Sequence, residues 1–209
     1  MNALERYLSD LRDIRSSGAA VKETSYYGPL ATLLNAIGQT LTPKVRCIVT
    51  LKNQGAGLPD GGFFTADQLQ RTAAADALPG QLPARGVIEV RSTSNNAWVT
   101  SAGPQVSKYW GKYRQVLVTN YRDLALVGQD PAGQPVTLET YRLADSETAF
   151  WAAASHPHAM AAAHGERFIA YLQRVMLHAA PLADPKDEVA RIRAVQSEGS
   201  GPALPDPRV

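Results

Sequence analysis

The chain has 209 residues, of which 44% are hydrophobic and 19% are charged. This composition predicts one soluble globular domain with its own core and excludes an intrinsically disordered chain. No apolar stretch approaches the roughly 20 residues of a membrane-spanning helix, and the N-terminal residues lack the features of a signal peptide, so we expect a cytoplasmic protein with no membrane partner. The single cysteine, Cys47, excludes an internal disulfide and a zinc site built from several cysteines.

The first half of the chain predicts two amphipathic helices and then strands. Apolar side chains recur at the spacing of one helical face near the N-terminus and again before Gly38, where that pattern stops. The run that begins at Val45 is β-branched and apolar, which favours a strand. The expected elements are a helix over 2–15, a helix from Thr24 or Ser25 to Gly38, a strand over 45–51, a glycine-rich loop over 53–62, a short strand at Phe63-Phe64 and an inserted helix over 66–77.

The second half alternates strands and helices before a helical end. The run 87–90 is apolar except for Glu89, as expected of a central strand that is covered on both faces. The other expected elements are a polar loop, a helix over 104–113, strands over 115–119, 123–128 and, at the sheet edge, 134–143, and helices over 145–154 and 158–178. The proline- and charge-rich residues 179–209 predict a disordered tail. This order predicts an α/β fold: a mixed β-sheet core flanked by helices, with a C-terminal helical extension.

Two acidic residues stand out against this background. Asp60 follows Pro59 at the start of a short strand, beside glycines that allow another chain segment to approach closely. Glu89 lies in an apolar strand, and Arg91 projects from the same face because side chains alternate along a strand. A buried carboxylate needs a partner, because burial without one costs several kcal/mol. One such partner is a divalent cation shared with Asp60; oxygen ligands of this kind suit Mg²⁺, with Mn²⁺ as an alternative.

The acids and their neighbours resemble a known nuclease signature. Asp60 and the triplet Glu89-Val90-Arg91 resemble the PD-(D/E)xK motif, with arginine where that family usually has lysine. The segment Lys22–Leu30 is similar to the first helix of nuclease domains fused to DNA methyltransferases. Gln105 and Tyr109 match the Q-x-x-x-Y motif of the RecB-like branch. These four motifs occur in the family's order, which is more specific than any one of them.

From about Leu4 to Leu177 the chain resembles the N-terminal nuclease region of Type ISP and Type IIG single-chain restriction–modification enzymes, which are often catalogued as DNA methyltransferases. This resemblance implies a restriction-endonuclease-like nuclease domain over 1–178, with a core at about 20–143 and a helical extension at 144–178. The implied activity is Mg²⁺-dependent endonucleolytic hydrolysis of DNA within a restriction–modification system. The implied catalytic residues are Asp60, Glu89, Arg91, Gln105 and Tyr109, and the implied metal ligands are Glu23, Asp60, Glu89 and the backbone carbonyl of Val90.

Each of these residues also has a simpler interpretation. An aspartate among glycines, such as Asp60, is typical of a turn, and a buried glutamate also pairs with a nearby arginine such as Arg91. Arg91 itself fits a solvated strand end. The simpler roles of the others are a helix-start acid for Glu23, a surface polar residue for Gln105, and core packing or base stacking for Tyr109.

The distribution of charge gives weaker information. The net charge of +2 is small, but the segment from Lys44 to Arg114 carries many more basic than acidic side chains. A positive field in this segment suits a DNA backbone, so we expect Lys52, Lys108 and Lys112 to contact DNA. Ordinary solvated lysines explain the charge equally well.

Arg91 motivates a second hypothesis. Arginine keeps a positive charge beside the phosphate, but it is effectively never deprotonated and its planar head is larger than that of lysine. The sequence contains neither Asn-Pro-Pro-Tyr nor a glycine-rich cofactor loop, so we do not expect it to methylate DNA by itself. The alternative function is a truncated, catalytically impaired remnant that binds DNA or a partner without cleavage. Expected partners are DNA, helicase or methyltransferase subunits or domains, and a second copy in a homodimer, since double-strand cleavage needs two sites or two events.

Overall fold

The computed structural model describes residues 2–70 and 82–178. Helices α1 to α7 are Ala3–Ser16, Tyr27–Gly38, Ala66–Gln70, Ala97–Ser101, Pro104–Tyr113, Glu147–Ala154 and Pro157–Leu177, and a 3-10 helix over Thr24–Tyr26 leads into α2. Strands β1 to β6 are Val45–Val49, Gly61–Thr65, Val87–Val90, Val116–Thr119, Asp123–Gln129 and Pro135–Arg142. The end of the predicted inserted helix, beyond Gln70, and the predicted tail over 179–209 lie outside the described residues.

The six strands form one mixed sheet whose spatial order is the chain order. Strands β3 and β4 are parallel, and the other neighbouring strands are antiparallel. A parallel pair needs a crossover, which α4 and α5 supply, whereas the antiparallel pairs need only loops or turns. Strand β6 lies at the edge of the sheet, as the sequence predicted. The predicted mixed α/β fold class is confirmed.

The two faces of the sheet pack against different helices because side chains alternate along each strand. On β3, Ile88 and Val90 belong to the large apolar cluster that includes side chains of α1, α2, α6 and α7, whereas Val87 belongs to the cluster that includes α5. Glu89 projects to the same face as Val87. Helix α5 therefore covers the face of the sheet that carries the predicted acid. Among the described helices, none combines the length and the apolar character of a membrane span.

The predicted polar loop after β3 contains an additional helix, α4. Asn96 caps this helix, since its side-chain oxygen accepts hydrogen bonds from the backbone N–H groups of Trp98 and Val99. Five residues are too short to show a helical period in the sequence, so the prediction missed α4. Strand β1 is also shorter than predicted: it ends at Val49, and Thr50 turns the chain with a φ of 60°.

The side chain of Asn35 fastens α2 to the edge strand β1. Its Oδ1 accepts a hydrogen bond from the backbone N–H of Cys47 at 2.9 Å, and its Nδ2 donates to the Cys47 carbonyl at 3.1 Å. These bonds satisfy backbone groups that face away from β2 and would otherwise lack a strand partner. Asn35 thereby holds α2, which begins at Tyr27, against the sheet.

We expect Asn35→Ala to lower the free energy of unfolding by about 1–3 kcal/mol, because two backbone groups of Cys47 lose their partners. Denaturant unfolding measures this difference. Gln39→Ala, an exposed position directly after α2, is the matched control and should change stability by less than about 0.5 kcal/mol. Equal stability of the Asn35 variant and the wild type would contradict the role of this side chain.

Candidate functional site

Asp60 and Glu89 lie opposite each other on neighbouring strands. Gly61 pairs with Ile88 in the antiparallel register of β2 and β3, so the residues immediately beyond this pair, Asp60 and Glu89, stand at the same level of the sheet. The Oδ2 atom of Asp60 accepts a hydrogen bond from the backbone N–H of Val90 at 2.8 Å. The sheet register thus brings the two predicted acids together, although they are distant in sequence.

Glu89 is a fully buried carboxyl group inside this arrangement. Its pKa is raised to about 7: burial raises it most, Arg91 lowers it, and the charges of Asp60 and Glu23 also raise it. The Oε1 atom forms an ion pair with Arg91 Nη2 and accepts no hydrogen bond from the described residues. The Oε2 atom receives a long hydrogen bond of 3.4 Å from Gln105 Nε2. Glu89 is therefore a carboxyl group whose ionisation depends on nearby cations.

Arg91 supplies that cation in this structure. Its Nη1 donates a hydrogen bond to the Val90 carbonyl at 2.9 Å, and its Nη2 donates to Gln105 Oε1 at 3.0 Å while contacting Glu89. The side chain is 30% exposed and so reaches the surface. The pairing of Glu89 with Arg91, which the sequence left as an alternative to metal binding, is present here.

Tyr27 is a site residue that the sequence analysis did not select. Its hydroxyl donates a hydrogen bond to Asp60 Oδ1 at 2.6 Å. Burial raises the pKa of Tyr27, and the hydrogen bond and charge of Asp60 raise it further, so the phenol remains a donor. No local motif distinguishes Tyr27 from a packing residue of α2, since its partner Asp60 lies on another element.

Glu23 is half-buried and close enough to the same cluster to interact with its charges. Its burial and the charge of Asp60 raise its pKa, whereas the charge of Arg91 and the nearby Tyr27 hydroxyl lower it. Glu23 therefore interacts with both predicted site residues through space. Its membership of a metal site stays a prediction.

Gln105 and Tyr109 face the site from α5. Gln105 Nε2 donates to the Tyr109 hydroxyl at 2.9 Å, as expected of residues one helical turn apart. The Tyr109 ring is buried and lies against Gly57, whose φ is 113°. A Cβ atom at Gly57 would be 3.3 Å from the Tyr109 ring, so both the backbone conformation and the space favour glycine. The ring of Tyr109 serves packing, and its hydroxyl anchors Gln105.

The three lysines predicted to contact DNA are all exposed. Lys108 and Lys112 lie on consecutive turns of α5, the helix that carries Gln105. The Nζ atom of Lys112 lies 3.2 Å from the position of a Cβ atom at Gly55, in the loop between Lys52 and Asp60. Positive charge therefore lies beside the loop that leads to Asp60.

Comparison with solved structures gives a likeness that covers nearly the whole chain. The chain is similar to the cryo-EM structure of a DrdV–DNA complex, with a TM-score of 0.51 and 14% sequence identity over 93% of this chain. The mixed α/β fold is therefore shared with a part of that structure. The match spans 15% of the DrdV chain, and at this identity it concerns the fold alone. No protein-family model and no curated protein matches the sequence.

The oxygen atoms of the site suit a hard divalent cation. Within residues 2–70 and 82–178, no three His, Cys, Asp or Glu side chains converge in a way that could hold a metal ion. Mg²⁺ needs fewer protein ligands, since it uses one or two carboxylates and retains water or phosphate oxygens. Each oxygen of Asp60 accepts one hydrogen bond from the described residues, which leaves a second lone pair. Asp60, Glu89 and the Val90 carbonyl therefore fit Mg²⁺, provided that Arg91 moves away.

The raised pKa of Glu89 predicts that its contribution to the free energy of unfolding decreases as the pH rises from 4.5 to about 7. An unfolded glutamate ionises near pH 4.5, whereas Glu89 in the folded chain keeps its proton up to about 7. Between these values the folded state binds more protons than the unfolded state, so the contribution of Glu89 to the free energy of unfolding decreases and then levels off above about 7. The free energy of unfolding of Glu89→Gln minus that of the wild type should therefore increase by more than about 1 kcal/mol from pH 5 to pH 8.

Urea denaturation of both proteins without divalent metal at the two pH values measures this change. Glu166→Gln replaces an exposed glutamate of α7 and is the control; its difference from the wild type should not depend on pH. A pH-independent difference between Glu89→Gln and the wild type would contradict the raised pKa.

Proposed function

We propose that the chain is a Mg²⁺-dependent DNA endonuclease domain of a restriction–modification system, with residues 1–178 as the nuclease domain. The observation that carries the proposal is the opposition of Asp60 and Glu89 on neighbouring strands, with Arg91 beside Glu89. The proposal is supported by the similarity of the fold to part of a protein whose structure was solved in complex with DNA. DNA is the proposed substrate, and Mn²⁺ is the proposed substitute for Mg²⁺.

The proposed metal ligands are Asp60, Glu89 and the carbonyl oxygen of Val90, with Glu23 as a further candidate. When bound, the metal would neutralise charge on the scissile phosphate and orient a water molecule for in-line attack. Tyr27 and the Val90 amide each hold one oxygen of Asp60 and so fix its carboxylate. This fixed carboxylate lowers the cost of assembling the site.

The other side chains of the site would act on the phosphate. Arg91 has a planar fork that matches two phosphate oxygens, and it would stabilise the charge that develops there. Gln105 would orient Arg91 or water, and Tyr109 would anchor Gln105 through the observed hydrogen bond. Lys52, Lys108 and Lys112 would contact the DNA backbone.

A second candidate function is DNA or partner binding without cleavage. The observation that favours it is the contact of Arg91 with Glu89 and with the Val90 carbonyl, two of the proposed metal ligands. A protein of this kind would bind DNA with steep salt dependence and show no metal-dependent turnover. A Mg²⁺ titration followed by calorimetry distinguishes the two candidates.

Asp60→Asn should reduce Mg²⁺-dependent cleavage of supercoiled and linear DNA by at least about 100-fold. The neutral amide is a poor metal ligand, and even indirect partners of metal sites typically contribute about 10- to 100-fold. Gel assays with Mg²⁺ or Mn²⁺ measure the rate. Asp67→Asn, an exposed aspartate in the first turn of α3, is the control and should cleave at the wild-type rate. Absence of cleavage by the wild type, or cleavage by Asp60→Asn at an equal rate, would refute the nuclease proposal.

Lys112→Ala should weaken binding to a labelled DNA duplex without metal and reduce the slope of log affinity against log salt by about one. The physical reason is the loss of one lysine–phosphate contact. Fluorescence anisotropy in EDTA at several salt concentrations measures both quantities. Arg167→Ala removes an exposed cation on α7, which packs on the other face of the sheet, and should leave the slope unchanged. An equal effect of both substitutions would argue against DNA contact along α5.

A further inference from the structure

Arg91 occupies the two groups that β3 would offer to a metal. One end of its guanidinium, Nη1, donates to the Val90 carbonyl at 2.9 Å, and the other end, Nη2, contacts Glu89 Oε1. Gln105 Oε1 also accepts a hydrogen bond from Nη2 at 3.0 Å. The backbone N–H of Arg91 donates to Thr119 on β4, so the backbone is fixed to the sheet and any exchange of partners involves the side chain alone.

The Arg91 guanidinium and a divalent metal ion would compete for the same two oxygen-bearing groups, Glu89 and the Val90 carbonyl. A fully buried carboxylate requires a positive partner, and Arg91 provides one in the absence of metal. A divalent ion on the same oxygens would lie within a few ångströms of the guanidinium, and the two like charges would repel strongly at this distance. The metal and the Arg91 head therefore exclude each other from Glu89 and the Val90 carbonyl.

A DNA phosphate offers the Arg91 head a different partner. The side chain is 30% exposed, so its head is accessible from solvent. The guanidinium is weakly hydrated and binds two phosphate oxygens through its planar fork, which compensates for the contacts with Glu89 and Val90 that it would give up. Withdrawal of the Arg91 head would leave Glu89 without its cation, so that the carboxyl group would take up either a proton or a metal ion.

We infer that Arg91 is the cation that pairs with Glu89 when the protein is free of ligands, and that it couples the binding of metal to the binding of DNA. Contact with a DNA phosphate withdraws its head, which frees Glu89 and the Val90 carbonyl to hold the metal. The inference rests on the proposed function. Because coupling between two ligands is reciprocal, DNA must raise the affinity for metal by the same factor by which metal raises the affinity for DNA.

Mn²⁺ binding to the full chain, measured by the electron paramagnetic resonance signal of free Mn²⁺, tests the inference without relying on cleavage. The wild type should bind Mn²⁺ weakly alone and roughly 10-fold more tightly with a saturating DNA duplex. Arg91→Ala should bind Mn²⁺ more tightly than the wild type without DNA, and DNA should then add little. Thermal unfolding of each variant confirms that it is folded.

Two further variants make the result specific. Arg91→Lys keeps the charge that pairs with Glu89, but a lysine ammonium lacks the planar fork that contacts Glu89, Val90 and Gln105 together. It should give an intermediate affinity for Mn²⁺ and an intermediate effect of DNA. Arg46→Ala removes an exposed cation of β1 and should behave as the wild type.

The outcomes separate this inference from the proposed function. If Asp60→Asn abolishes Mn²⁺ binding but neither Arg91 variant strengthens it in the absence of DNA, the metal site stands and the inference is overturned. If DNA leaves the wild-type affinity for Mn²⁺ unchanged, the inference is likewise overturned. If no variant binds Mn²⁺ with or without DNA, both the proposed function and the inference fail.

Discussion

The buried carboxyl group of Glu89 is the constraint on which the site depends. It stands in β3, between neighbouring strands and under α5, where an unpaired negative charge would be costly. Arg91 compensates for that cost by pairing with Glu89, and Gln105 of α5 accepts a hydrogen bond from Arg91. Burial also holds the pKa of Glu89 near neutrality, so the charge of the site depends on which cation is bound.

The same constraint connects the two candidate functions. In both, Arg91 neutralises Glu89 when the protein is alone, and both would use the lysines of α5 to approach DNA. They differ in whether a metal then replaces Arg91 at Glu89 and the DNA is cleaved. Arg91 therefore does more than supply a positive charge, because its fork contacts a carboxylate and a backbone carbonyl at once.

The fold positions the site by simple rules of sheet geometry. The antiparallel register of β2 and β3 sets Asp60 opposite Glu89, and the parallel pairing of β3 with β4 requires a crossover that carries α5 over the same face. Helix α2 approaches from the other side of Asp60 and contributes Tyr27, while Asn35 fastens that helix to β1. Four elements, α2, β2, β3 and α5, thus meet at one end of the sheet.

The sequence by itself determined the order of the main helices and strands, the mixed α/β class and the identity of the two acids, because hydrophobic periodicity and an acid in an apolar strand are local signals. It missed α4, which at five residues is too short to show a repeating apolar face, and it left the partner of Glu89 open. Only the tertiary structure decided that Arg91 takes that partnership and that Tyr27 holds Asp60. Such contacts depend on strand register and helix placement, which local patterns do not encode.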